Sequence, residues 1–222
     1  MAYGVIGEMR KVLAGIVFSV CGFSASAEQV TIAALGDSLT QGYGLVQQDG
    51  FVPQLQGWLA DNGADVVLIN AGVSGDTTAG GAARVAWTLT PEVDGVIVAL
   101  GGNDLLRGID PDVSRSNLAK ILAAALEANV EVLLVGMQAP GNYGPEYKET
   151  FDAIYPELAE QYDALYEESF FAGIAGETPD PSEMRGYMQE DGIHPNPDGV
   201  QRIVEVIGPR VLDLINRIEM AD

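Results

Sequence analysis

The stretch "DGVIVALGGND" (94–104) runs five apolar residues together, then passes abruptly into glycine and polar side chains. A strand with one wet face alternates; an unbroken apolar run predicts a strand covered on both faces, as in a parallel sheet between helical layers. Its polar tail is then expected at the carboxyl edge of that sheet, where open parallel sheets bind ligands.

The same reading extends in both directions. "VTIAAL" (30–35), "DVVLIN" (65–70) and "VEVLLVGM" (130–137) predict further strands, and a weaker one is expected within 164–171. Between them lie helical patterns over 51–63, 77–89, 111–129 and 146–162, the last with Pro156 as a kink or break, and a closing helix over 197–218. Strands alternating with helices make this an α/β chain, with one parallel sheet and helices on both sides. No repeat or linker interrupts residues 28–222, which are expected to form one domain. The longest irregular stretch, 172–189, reads as a surface loop beside a site.

Composition narrows the partners. Thirty-two acidic residues against 11 basic give a net charge of -21 at pH 7. Such a surface repels nucleic acid and anionic membranes, so neither is an expected partner. Residues 1–27 differ from the rest: Arg10 and Lys11 precede "VLAGIVFSVCGF" (12–23) and "SASA" (24–27). That order is a secretory signal peptide with cleavage after Ala27, and a periplasmic or secreted protein is expected. Met9 offers a second possible start. The apolar run is about half the length a bilayer crossing needs, so no stable membrane insertion is expected. The one cysteine, Cys21, falls inside this leader, which leaves an exported chain without disulfides or thiol chemistry.

The polar loops after the strands hold the candidate chemistry. "DGIH" (191–194) contains the sole histidine. Its spacing lets one turn fold the Asp191 carboxylate back onto a ring nitrogen of His194, fixing the tautomer and leaving the other nitrogen free as a base. Ser38, in "LGDSL" (35–39), follows a buried strand directly and is the candidate nucleophile, although serine there also serves as a helix cap. Gly75, in "SGDT" (74–77), can offer an unobstructed backbone N–H to an oxyanion. Asn103 adds a neutral amide, with an Asx turn or cap as its bland alternative.

Two motifs look like decoys. "GVSGD" (72–76) lacks the second glycine of a nucleophile elbow, and "GYG" (42–44) lacks the third glycine of a dinucleotide fingerprint. A carboxylate-bound calcium on Asp37, Asp76, Asp104 and Asp191 stays open as a rival use of these residues, whereas a single histidine without cysteine argues against zinc at His194.

Taken together, "GDSL" (36–39), "SGDT" (74–77), "GGND" (101–104) and "DGIHPN" (191–196) resemble the four blocks of the GDSL (SGNH) hydrolases. The likeness is greatest to the secreted bacterial arylesterase and multifunctional thioesterase–lysophospholipase group, with "NYG" (142–144) and "AIYPELA" (153–159) adding to it. The resemblance implies a flavodoxin-like three-layer α/β/α sandwich and no cofactor. It implies Ser38 as nucleophile, His194 as base and acid, and Asp191 as its orienting group. The oxyanion donors would be the N–H groups of Ser38 and Gly75 and the side chain of Asn103, with Asp37 as a brace. The expected substrate is a small acyl ester or thioester of short to medium chain length. Oligomeric state is not legible. Segments 137–144 and 170–189 are where acyl length and leaving group would be selected. A carbohydrate acetylesterase of the same superfamily is the enzymatic alternative, and a non-catalytic flavodoxin-like binding module the alternative of another class.

Overall fold

A computed structural model of the chain describes residue 1 and residues 29–175 and 184–221. The leader with Cys21, and residues 176–183 of the irregular stretch, lie outside the described residues. Five strands, β1 (Val30–Gly36), β2 (Val66–Gly72), β3 (Gly95–Ala99), β4 (Glu131–Val135) and β5 (Leu165–Glu167), form one sheet in the order β2-β1-β3-β4-β5. Every neighbouring pair is parallel. β3 is the central strand, and all five of its residues are buried. Its unbroken apolar sequence follows from that position.

The helices are α1 (Ser38–Gln41), α2 (Phe51–Asp61), α3 (Thr78–Thr88), α4 (Gly102–Arg107), α5 (Pro111–Glu127), α6 (Pro145–Asp152), α7 (Ile154–Tyr162), α8 (Ala172–Ala175) and α9 (Pro197–Ala221). Helices α3, α5 and α7 pack in a row on one side of the sheet, and α2, α9 and α8 pack together on the other. This is the three-layer α/β/α sandwich. The core between the layers is apolar: Ile32, Leu35, Val96, Val98, Leu133 and Leu134 on the strands, and Leu55, Ile121 and Ile207 on the helices, are wholly inaccessible. Burying each such side chain is worth about 1.5–3 kcal/mol, which is why the sheet needs both covers.

Two local expectations required correction. One helix over 146–162 broken at Pro156 is in fact two, separated at Ala153. Pro156 lies in the first turn of α7, where a missing N–H removes no intrahelical bond. The polar tail after β3, expected as loop, in fact contains the short helix α4 within "GGNDLLRG" (101–108), closed by Gly108.

Strand order positions the site. The chain runs from β1 outward to β2, then crosses back to β3, so the connections leaving β1 and β3 diverge and open a crevice between their carboxyl ends. Ser38 follows β1 and Asn103 follows β3. In the same helix as Ser38, Thr40 is buried, and its hydroxyl has no hydrogen-bond partner among the described residues. A lone buried hydroxyl is destabilising, and valine has the same shape. Thr40→Val is therefore expected to raise stability by about 1 kcal/mol in a urea melt. A clear loss of stability would show that the hydroxyl is satisfied by a bound water.

Candidate functional site

Ser38 opens α1. Asp37 is the helix cap, its Oδ1 accepting from the Leu39 N–H at 3.0 Å. The Ser38 N–H is among the first in the helix and so has no intrahelical acceptor. From Ser38 Oγ it is 2.9 Å to His194 Nε2, and from His194 Nδ1 it is 2.6 Å to Asp191 Oδ2. The other oxygen of Asp191 accepts from the N–H groups of Ile193 (2.9 Å) and His194 (3.0 Å). The four-residue turn thus grips its own carboxylate.

These bonds set the charge state. The bond to His194, then the two backbone N–H groups, hold the Asp191 carboxyl down at about 2. An ionised carboxylate can only accept, so Nδ1 carries the ring proton and Nε2 presents a lone pair to the Ser38 hydroxyl. The turn is itself anchored. Met188 and Pro195 form an antiparallel bridge. Asn196 caps α9, with Oδ1 accepting from Gly199 N–H at 2.9 Å and Nδ2 donating to the Gly186 carbonyl at 2.8 Å.

Asp37 is 1% exposed and reaches in two directions. While Oδ1 caps α1, Oδ2 accepts from Asn103 Nδ2 at 3.2 Å. One amide hydrogen of Asn103 is thereby fixed beside the Ser38 loop, leaving the second for another acceptor. Burial raises the Asp37 carboxyl, opposed by the Leu39 N–H, Asn103 and the His194 charge. Gly75 lies on the exposed loop after β2; its carbonyl accepts from Arg107 Nη2 at 2.8 Å, which ties that loop to α4. No partner of the Gly75 N–H falls among the described residues.

The carboxylates considered for calcium have other partners. Asp104 is buried and accepts from the Thr78 N–H (2.9 Å), the Thr78 hydroxyl (2.6 Å) and the Ser114 hydroxyl (2.9 Å). Asp76 pairs with Arg84 at 2.6 Å. No group of three or more metal-ligating side chains is assembled among the described residues.

Several supporting residues escaped the sequence reading. Arg84 of α3 holds Asp76 through Nε, the Ala71 carbonyl through Nη1 at 2.7 Å and the Gly36 carbonyl through Nη2 at 2.8 Å. One guanidinium therefore joins the ends of β1 and β2 to the loop of Gly75. Tyr155, fully buried on α7, donates its hydroxyl to the Leu100 carbonyl at 2.9 Å. Gly101 permits this: its φ is +121°, and a Cβ there would lie 2.1 Å from the Tyr155 oxygen. A cavity of about 550 Å³ adjoins α1, lined by Gln41, Gly42, Leu45, Gln56, Leu68 and Asn70. A smaller one of about 350 Å³ adjoins Met137, Gln138 and Tyr166. No described helix is long and apolar enough to cross a membrane.

Comparison with known proteins adds independent information. Residues 34–202 match the model of the GDSL-like lipase/acylhydrolase family. The chain is 37% identical over 208 residues to the esterase TesA of Pseudomonas aeruginosa, a match covering 93% of this chain and all of that protein. It is 35% identical to the thioesterase 1/protease 1/lysophospholipase L1 of Escherichia coli (strain K12), covering 87% of this chain and 88% of that one. Among solved structures, the SGNH-hydrolase family esterase AlinE4 superposes with a TM-score of 0.68 at 40% identity, covering 84% of this chain and 96% of the other.

Proposed function

The chain belongs to the GDSL-like lipase/acylhydrolase family and is a carboxylic ester hydrolase, and from that premise we propose that it is an exported serine esterase working through Ser38, His194 and Asp191. The observation that carries this reading is the unbroken line from Asp191 Oδ2 through both ring nitrogens to Ser38 Oγ, with contacts of 2.6 and 2.9 Å.

The reaction follows from the proton positions. His194 Nε2 takes the Ser38 proton as Oγ bonds to the acyl carbon, and the carbonyl oxygen becomes an oxyanion. The oxyanion is held by the N–H groups of Ser38 and Gly75 and the free amide hydrogen of Asn103. The tetrahedral species collapses, the bond from carbon to the leaving alcohol or thiol breaks, and the leaving group receives the proton from Nε2. Water then gives a proton to Nε2, attacks the acyl-enzyme and releases the acid, returning the proton to Ser38. Asp191 stays ionised throughout. Asn103→Ala is expected to lower kcat by about 10²–10³ with a small change in KM, because the amide serves the oxyanion more than the ground-state carbonyl. Equal losses in kcat/KM carried wholly by KM would assign Asn103 to substrate binding instead.

The substrates are proposed as acyl esters and thioesters, the bond types that the names of the related enzymes give, with acyl chains of short to medium length. Val73, Leu106 and Tyr143, on the segments that follow β2, β3 and β4, are exposed apolar side chains that suit an acyl chain. Hydrolysis of p-nitrophenyl esters from acetate to decanoate, alongside an acetylated polysaccharide, tests this. Activity confined to the polysaccharide would favour the carbohydrate acetylesterase. Export is supported by the leader pattern of residues 1–27. The protein recovered outside the cytoplasm is expected to begin at Glu28; an intact leader on that material would overturn export by cleavage after Ala27.

A further inference from the structure

The "GYG" motif (42–44) is no cofactor fingerprint, but the structure gives it another use. Gly42 ends α1 with φ +89°, and the N–H groups of Gly42 and Tyr43 both donate to the Ser38 carbonyl, at 3.0 and 3.1 Å. Gly44 follows with φ +77°; a Cβ there would fall 2.2 Å from Gln189 Oε1. The two glycines let the chain double back against Gln189. Gln189 Nε2 donates to the Tyr43 carbonyl at 2.8 Å and to the Pro195 carbonyl at 3.0 Å, while its backbone N–H donates to the His194 carbonyl at 2.8 Å. One residue therefore holds the backbones of Tyr43 and His194 together. Between them the rings meet, with centroids 4.6 Å apart and planes inclined by 35°.

We propose that Tyr43 is a positioning residue for His194, laying an aromatic face on the imidazole and stabilising the imidazolium that forms when Ser38 gives up its proton. The inference rests on His194 acting as the base. Asp191 and Ser38 occupy the two ring nitrogens, and the buried Asp37 carboxyl also interacts with the ring's charge. Asp191 and Ser38, bonded to the ring nitrogens, approach in or near the ring plane, whereas Tyr43 covers a face. An aromatic face carries negative quadrupole, so it favours the charged ring over the neutral one. Stabilisation of that kind acts in the transition state and appears in kcat, not KM. Although Tyr43 itself is 50% exposed, the His194 side chain beneath it is only 14% exposed.

The test compares wild type, Tyr43→Phe, Tyr43→Leu, Gln189→Met and Ser38→Ala. It follows kcat and KM on p-nitrophenyl butyrate and the rate of inactivation by a small fluorophosphonate. Tyr43→Leu is expected to lower kcat and the inactivation rate together, by about 2- to 6-fold, with KM unchanged. Tyr43→Phe, which keeps the face, should behave as wild type. Gln189→Met frees the Tyr43 and Pro195 carbonyls without altering the Tyr43 ring, and should lower both rates in the same direction. Wild-type rates in Tyr43→Leu, a loss confined to KM, or Phe falling with Leu would each overturn the proposal. Unchanged rates in Gln189→Met would do the same should Tyr43→Leu fail to fold. Hydrolysis by Ser38→Ala at near the wild-type rate would instead overturn the serine mechanism itself, so the two failures are distinguishable.

Discussion

Ser38→Ala is expected to lower ester hydrolysis by about 10⁶-fold in kcat, the scale seen when the nucleophile of a triad is removed. The oxyanion donors and the crevice would remain, so a residual rate of about 10³–10⁴ over water is compatible with the mechanism. Stability should hardly change. The Ser38 side chain is only partly buried, and its one hydrogen bond among the described residues is to His194. The variant should therefore melt with wild type, and the loss can be read as chemistry. Covalent labelling by a fluorophosphonate should vanish in parallel. A variant that hydrolyses p-nitrophenyl esters at near the wild-type rate would end the proposal that Ser38 is the nucleophile.

Asp191→Asn is expected to cost about 10³–10⁴ in kcat although it changes a single atom. The argument lies in the turn. Two backbone N–H groups, from Ile193 and His194, point at Oδ1. In the variant they demand an acceptor, so the amide oxygen takes that position and the NH₂ group faces His194 Nδ1. Nδ1 must then accept, the ring proton moves to Nε2, and Nε2 can no longer take a proton from Ser38. The fold should survive, since the turn keeps its backbone bonds. The same carboxylate makes an acid-stability prediction. Its folded value, about 2, lies below the ordinary 3.8. Its contribution is thus fully present above the ordinary carboxylate range and is lost as pH falls through about 2. The difference in melting temperature between wild type and Asp191→Asn should be constant above pH 5 and narrow below pH 4. A difference that grows on acidification would contradict the assignment.

Where sequence reading succeeded, the physics was local. A strand buried on both faces has to be apolar throughout, and β3, from Gly95 to Ala99, declares that in its own residues. The turn from Asp191 to His194 is similar, because three residues of spacing suffice to return a carboxylate to the ring. Pro156 misled because proline marks a break only in a helix interior, and the start of α7 at Ile154 places it in a first turn. The "GYG" motif lacks a fingerprint's third glycine, and the use the fold makes of it depends on Gln189, more than 140 residues away.

Arg84 shows the same limit more plainly. It is one cation in a helix of small residues, and its three acceptors lie on β1, β2 and the loop beyond. Nothing in its surroundings along the chain foretells them. The amino-acid pattern by itself determined the α/β class, the covered central strand and the turn that orients His194, because each depends on periodicity or on neighbours a few residues apart. Only the tertiary structure decided that Ser38 meets a histidine 156 residues later, that Asp37 holds Asn103, and that Tyr43 covers the imidazole. Those contacts are set by the order in which the strands lie side by side, and hydrophobic periodicity carries no record of that order.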